Sequence, residues 1–193
     1  MSTDTIENPE GLLVMVRGLP GSGKSTVAGL YCQPVREADN YEGLYTYHEN
    51  GQVEFHGGRR IDGVPMISLA HAECQRLVEE DIPRSPIVVV ANTFTQGWEM
   101  APYVAMAERH GFRVVVIDVF DGGMTDEQLA ARNRHGVPVE AIAGMRRRWE
   151  ADWRAADQRP PWRASGATPR GRRDWRPPSR CPPGRYASVA GPR

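Results

Sequence analysis

Cysteine is scarce in this 193-residue sequence, and long apolar runs are absent from it. The three cysteines, Cys32, Cys74 and Cys181, are odd in number and show no CxxC spacing. They argue against a disulfide framework or a zinc site and fit a reducing compartment. No apolar run approaches the roughly 18 residues that span a bilayer, and residues 1–10 are polar and acidic rather than signal-like. We therefore expect a cytoplasmic protein without a membrane segment.

A net charge of either sign is also missing, since 24 Lys and Arg residues balance 24 Asp and Glu residues. The balance hides a split, because the stretch from Arg159 onward holds nine arginines, eight of the sixteen prolines and one acid, Asp174. An acidic body of about −8 is thus followed by a tail of about +8. The prolines and the lack of apolar periodicity predict that the tail, residues 158–193, is disordered. It could bind nucleic acid weakly, rest on the acidic body, or have no specific role.

The remaining residues, 11–157, suffice for one α/β domain with a substantial core. Three short apolar runs are typical of strands buried on both faces, at residues 12–16, 87–90 and 112–120. Apolar residues recur at helical spacing in three further segments, at residues 66–80, 98–110 and 138–149. Strands that alternate with helices predict crossover connections and a parallel core sheet.

One segment breaks this alternation. Residues 45–47 and 53–55 carry strand-forming aromatic and branched side chains, and they flank the pair Asn50-Gly51. Asn-Gly between two such runs predicts a β-hairpin, here an insertion at about 44–56. Its tyrosines, Tyr45 and Tyr47, could stack on a base if the hairpin overhangs a binding site, or could simply pack the hairpin.

A glycine-rich loop follows the first predicted strand and precedes a helix-compatible run. It fits the pattern GxxxxGK[ST] of a phosphate-binding loop, which predicts binding of ATP with Mg²⁺. Glycines let backbone N–H groups approach phosphate oxygens, Lys24 would reach the β- and γ-phosphates, and the Ser25 hydroxyl would bind the metal. The predicted nucleotide-binding residues are Gly18, Leu19, Pro20, Gly21, Ser22, Gly23, Lys24, Ser25 and Thr26.

With this loop the chain resembles small P-loop kinases, including phage-type polynucleotide 5′-kinases and zeta-toxin-like kinases. Three segments carry the resemblance further: residues 38–41 resemble a D-D-Y segment, 88–93 a V-D-N-T-N strand end, and 129–138 an arginine-rich lid. The chain also resembles small proteins labelled AAA-family ATPases, in the patterns at 70–74 and 98–103. The resemblance implies a three-layer α/β P-loop NTPase of the kinase type, with a helical lid at about 125–150.

The resemblance also implies catalytic roles. Asp39 stands where the family has the carboxylate that accepts the proton of the acceptor hydroxyl; alternatively it is a solvated acid beside a turn. Arg132 and Arg134 stand in the lid, where cations stabilise charge on the transferred phosphoryl group. Alternatively, they are exposed cations that suit the end of a helix. Lys24 completes this predicted catalytic set.

The sequence departs from the family pattern at two positions. Ala91 stands where the family has an aspartate at the strand end, and Phe94 stands where asparagine is common. The missing acid could weaken metal binding, alter acceptor binding or abolish activity. Asp118 or Asp121, near the end of the next strand, could compensate for it.

Three functions remain open from the sequence. The first is an ATP-dependent phosphotransferase that acts on a nucleic acid 5′-hydroxyl or a nucleotide. The second is an ATP-binding module or ATPase that has no acceptor and acts through a partner. The third is a kinase of a small molecule such as a nucleotide sugar.

Overall fold

The computed structural model describes residues 11–31 and 34–160. The segment 1–10 and almost all of the tail lie outside these residues, so the predicted disorder of 158–193 stays a prediction. In chain order the described residues form β1 (Gly11–Arg17), α1 (Lys24–Gly29), β2 (Val35–Arg36), β3 (Tyr45–Tyr47), β4 (Val53–Phe55), β5 (Arg60–Ile61), β6 (Val64–Pro65), α2 (Met66–Asp81), β7 (Ile87–Asn92), α3 (Gly97–Arg109), β8 (Phe112–Asp118), α4 (Asp126–Arg132) and α5 (Val139–Arg147).

The central sheet has four strands in the order β2-β7-β1-β8, and every neighbouring pair is parallel. The three predicted strands form its middle and one edge, and the three predicted helices are present, with ends shifted by at most two residues. A separate antiparallel pair, β3 and β4, forms the predicted hairpin, with Asn50-Gly51 in the turn between the two strands. No helix of the described residues is both long and apolar enough to cross a bilayer.

Side chains of β1 alternate between two buried layers. Leu13 and Met15 pack in a core that includes residues of α2 and α3, whereas Val14 and Val16 pack with Ala28 of α1 on the opposite face. These four side chains are fully buried, and each contributes about 1.5–3 kcal/mol relative to exposure. A sheet covered on both faces by helices confirms the predicted three-layer α/β fold.

Helices α4 and α5 form a small layer of their own, the lid. Leu129 of α4 and Ile142 of α5 are fully buried against each other and against Leu19 of the glycine-rich loop. The lid therefore rests directly on the loop that follows β1. The hydroxyl of Thr125 accepts the backbone N–H of Gln128 at 3.3 Å and caps the first turn of α4, which stabilises the helix start.

Candidate active site

The glycine-rich loop, residues 18–26, leaves the carboxyl end of β1 and leads into α1. Gly21 and Gly23 have φ of 80° and 101°, a backbone conformation that strains residues with a side chain. A Cβ added at Gly21 would also clash with the carbonyl oxygen of Leu129 in the lid. The loop can therefore keep its shape beneath the lid only with glycine at this position. Backbone N–H groups in such a loop form a concave site for phosphate oxygens.

Lys24, the first residue of α1, folds its side chain back over the loop. Its ammonium donates to the carbonyl oxygen of Leu19 at 3.2 Å. Burial lowers the pKa of Lys24, and the nearby carboxylates of Asp39 and Glu37 oppose this shift. The positive charge thus lies between the loop and two acids that belong to the segment after β2.

Ser25 faces one of these acids. Its hydroxyl donates to Glu37 Oε1 at 2.7 Å, and Glu37 Oε2 accepts from the side-chain amide of Asn40 at 3.3 Å. Sequence reasoning missed Glu37, although the signal was present: it is the first acid after β2, two residues before Asp39. A hydroxyl beside a carboxylate is an oxygen-donor pair that suits Mg²⁺. The described residues contain no cluster of three or more His, Cys, Asp or Glu that could hold a metal by themselves.

Asp39 lies in the short 3-10 turn Ala38–Asn40, which the central sheet holds in place. The N–H of Ala38 donates at 2.9 Å to the side-chain oxygen of Asn92, the buried last residue of β7. Tyr45 of the hairpin donates its hydroxyl to Asp39 Oδ1 at 3.0 Å, and His135 Nε2 lies 3.8 Å from Asp39 Oδ2. Burial, together with the charge and hydrogen bond of Asp39, raises the pKa of Tyr45, so this hydroxyl remains a donor. The sheet, hairpin and lid all meet at Asp39.

The two lid arginines reach different places. The Nε of Arg132, at the end of α4, donates to the carbonyl oxygen of Gly21 at 3.2 Å. Arg134 lies near Tyr47 of the hairpin. Burial and the charge of Asp39 raise the pKa of Tyr47, and the positive charge of Arg134 partly opposes this rise. The geometry thus brings Arg132 to the loop and places Arg134 beside the hairpin.

The two departures from the family pattern have different surroundings. Ala91 is buried with Val16 and Ala28 beneath α1. Phe94 is buried edge-on against Tyr103, with ring centres 5.4 Å apart, and has a φ of 48°. Asparagine adopts this left-handed conformation far more readily than a bulky residue, so asparagine would suit position 94. Phe94 keeps the strained backbone because its ring fills the core.

The two acids predicted to compensate for Ala91 are engaged by other groups. Asp118 Oδ1 lies 3.2 Å from the Nε of Arg17. Asp121 pairs with Arg146 of α5 and accepts the N–H of Gly123 at 2.9 Å. The acid that lies beside Ser25 is Glu37 instead.

Arg17, which sequence reasoning also missed, is wholly buried directly before the loop. Its Nη2 donates to the carbonyl oxygen of Glu150 at 2.9 Å, and its guanidinium carbon lies 4.0 Å from the centre of the Trp149 ring. Burial lowers the pKa of Arg17, an effect that Asp118, Glu99 and Glu150 oppose. Arg17 therefore anchors the segment that follows the lid to the end of β1. Its signal in the sequence was an arginine that ends an otherwise apolar strand.

Comparison with known proteins bears on the family and the fold of this chain. A family model described as an AAA domain matches residues 13–151. NEDD4-binding protein 2 of Homo sapiens is 34% identical over 142 residues, which cover 69% of this chain but only 7% of that protein. A chain in the structure of the Pnkp1/Rnl/Hen1 RNA repair complex is 15% identical with a TM-score of 0.54, over 82% of this chain and 50% of that one.

A gluconokinase from Sinorhizobium meliloti 1021 is 19% identical with a TM-score of 0.40, over 75% of this chain and 77% of that one. The likeness to the RNA repair structure shows a shared fold. The family match covers well over half of the sequence and includes the phosphate loop, the sheet and the lid. The chain therefore belongs to this AAA-domain family and is a P-loop protein with a kinase-like fold.

Proposed function

We propose that this protein transfers the γ-phosphoryl group of ATP to a hydroxyl group, with a nucleic acid 5′ end or a nucleotide as the acceptor. The observation that carries the proposal is the position of Asp39. Tyr45 of the hairpin and His135 of the lid region contact its carboxylate from two sides, at 3.0 and 3.8 Å, and its charge opposes the effect of burial that lowers the pKa of Lys24. The phosphate-binding loop and the carboxylate that we assign as proton acceptor therefore lie at one edge of the sheet, where α/β proteins bind ligands.

The chemistry divides among few residues. Loop N–H groups and Lys24 bind the phosphates, and Asp39 accepts the proton as the acceptor oxygen forms its bond to the γ-phosphorus. The bond from that phosphorus to the β-bridging oxygen breaks, and ADP leaves. Arg132 stabilises the charge on the transferred group. The Ser25 hydroxyl oxygen suits Mg²⁺ as a ligand, and the Glu37 carboxylate beside it adds negative charge. When bound, the metal would neutralise phosphate charge.

The hairpin favours an acceptor that carries a nucleobase. One face of β3 and β4 carries three aromatic side chains, those of Tyr45, Tyr47 and Phe55. Tyr45 lies opposite Phe55 in the strand pairing, and Tyr47 lies two residues further along β3, on the same face. The side chains of Tyr47 and Phe55 are 59% and 53% exposed, and the Tyr45 ring lies 4.7 Å from that of His135. This aromatic face begins at Asp39 and continues outward, so a base could stack on it while the hydroxyl of its sugar reaches the carboxylate.

Replacing Tyr47 by alanine is expected to raise the KM for a 5′-hydroxyl oligonucleotide about 5- to 150-fold, because stacking on one aromatic ring is worth about 1–3 kcal/mol. Tyr47→Phe is the matched control: it keeps the ring and loses only the 2.7 Å hydrogen bond to His135. Steady-state kinetics at saturating ATP would measure both variants. Equal effects of the two substitutions would contradict the stacking interpretation.

The reaction itself is tested with γ-labelled ATP, Mg²⁺ and a panel of 5′-hydroxyl DNA, 5′-hydroxyl RNA, nucleosides and nucleotide sugars. Label on an oligonucleotide end or a nucleotide would support the proposal, and label on the sugar would support a small-molecule kinase. Release of free phosphate alone would support the second candidate, an ATP-binding module or ATPase that acts through a partner. That candidate is favoured by Ala91 and by the strained Phe94.

Lys24 is the only lysine in the sequence, which allows a direct test of nucleotide binding. An acyl phosphate of ATP should label one lysine-containing peptide, and excess ATP with Mg²⁺ should prevent the labelling. Because burial lowers the pKa of Lys24 and only the neutral amine reacts, acetylation of the free protein should be half-maximal below pH 10.5. Mass spectrometry would measure both effects. Labelling that ATP does not suppress would contradict binding at this loop.

A further inference from the structure

We infer that Glu37 supplies the carboxylate that supports the metal ion, in place of the aspartate that is missing at position 91. The acid would then follow β2, the strand next to β7, which carries Ala91. The inference rests on the proposed function only as far as binding of ATP with Mg²⁺. Ser25 donates its hydroxyl to Glu37 at 2.7 Å, and this contact places a negative charge directly beside the expected metal ligand.

The strand register sets Glu37 next to Ala91. In the pairing of β2 with β7, Val35 lies opposite Val89 and Arg36 lies opposite Val90. One further step along both strands brings Glu37 opposite Ala91. The hydrogen bond from the N–H of Ala38 to the side chain of Asn92, 2.9 Å long, continues the same alignment beyond the strand.

Both positions also face the same side of the sheet. Val35, Val89 and Ala91 pack in the cluster beneath α1, and side chains two residues apart in a strand share a face. Glu37 follows Val35 by two residues, so it faces α1, which carries Ser25. A carboxylate at position 91 and one at position 37 would therefore reach the same region beside Ser25 from adjacent strands. Glutamate is one methylene longer than aspartate, which would compensate for the added distance from β7 to β2.

The carboxylate is available for this role. One of its oxygens accepts a hydrogen bond from the Ser25 hydroxyl, which leaves the lone pairs of that hydroxyl for a metal ion. The other oxygen accepts a hydrogen bond from the Asn40 side chain at 3.3 Å. Glu37 acts as a positioning residue: it orients Ser25, and with Mg²⁺ bound it would accept hydrogen bonds from water on the metal.

The test measures how nucleotide binding depends on metal. A fluorescent, non-hydrolysable ATP analogue is titrated into wild type and Glu37→Gln at increasing Mg²⁺, and also in EDTA. Loss of an outer-shell partner lowers metal affinity about 10- to 100-fold, so the Mg²⁺ concentration at half-maximal effect should rise by at least about tenfold, while affinity in EDTA stays within twofold. Glu49→Gln, an exposed acid of the hairpin region, is the control. Mn²⁺ binding followed by electron paramagnetic resonance gives a second readout.

The outcomes separate the possible roles. A purely structural Glu37 would change affinity equally with and without metal, and that result, or an unchanged Mg²⁺ midpoint, would overturn the inference. Restoration of the midpoint in Glu37→Gln/Ala91→Asp would support it further. A wild type that binds Mg²⁺ and nucleotide but transfers no phosphoryl group would leave Glu37 assigned and refute the proposed reaction. A wild type that binds no nucleotide would overturn both.

Discussion

Replacing Arg132 by alanine is expected to lower the rate of phosphoryl transfer by about 10³- to 10⁵-fold, the range found for arginines that stabilise charge on a transferred phosphoryl group. Arg132 ends α4 and donates to the carbonyl oxygen of Gly21 at 3.2 Å, so its guanidinium lies at the phosphate loop. Because this charge acts mainly in the transition state, the Kd for ATP should change much less than the rate. Single-turnover transfer from labelled ATP would measure the rate, and a fluorescent analogue would measure the Kd.

Two other arginines serve as comparisons for Arg132. Arg147 is exposed near the end of α5, and Arg147→Ala should leave the transfer rate unchanged. Arg134 lies beside Tyr47 of the hairpin, so Arg134→Ala should raise the acceptor KM rather than lower the single-turnover rate. A loss of less than about tenfold in Arg132→Ala would show that this side chain does not act on the transferred group.

Asp39→Asn is expected to lower transfer by about 10²- to 10⁴-fold, the usual contribution of a positioned general base. The amide keeps the size of the carboxylate and can still accept the hydrogen bond of Tyr45, which is 3.0 Å long, but it cannot take up a proton. Nucleotide binding should persist, because Lys24 and the loop remain in place. Transfer to an oligonucleotide and binding of an ATP analogue would be measured on the same preparation.

The matched control for Asp39 is Glu49→Gln, which also removes one negative charge but does so at an exposed position near the hairpin turn. It should leave both transfer and binding unchanged. Transfer at more than about a third of the wild-type rate in Asp39→Asn would mean that another group accepts the proton. Loss of nucleotide binding in this variant would mean that Asp39 is needed to keep Lys24 in position, not for proton transfer.

Local sequence was sufficient for the phosphate loop and for the layers of the fold. The phosphate-binding groups of residues 18–26 are mainly the backbone N–H groups of the loop itself. The local sequence is therefore enough to predict the shape of the loop. The same holds for the strand 87–92 and its neighbours, because continuous apolar runs that alternate with amphipathic segments can be buried on both faces only in a parallel sheet. Each of these features depends on contacts between residues close in sequence or on a repeating pattern.

The remaining parts of the candidate site depend on distances that no local pattern encodes. Glu37 reaches Ser25, and Arg17 reaches Glu150, only because strands and the lid bring distant segments together. The sequence by itself therefore determined that this chain has a loop for phosphate, a parallel sheet and a lid. The tertiary structure decided which acid lies beside Ser25 and which lid arginine meets the loop, because strand register and helix packing set those positions.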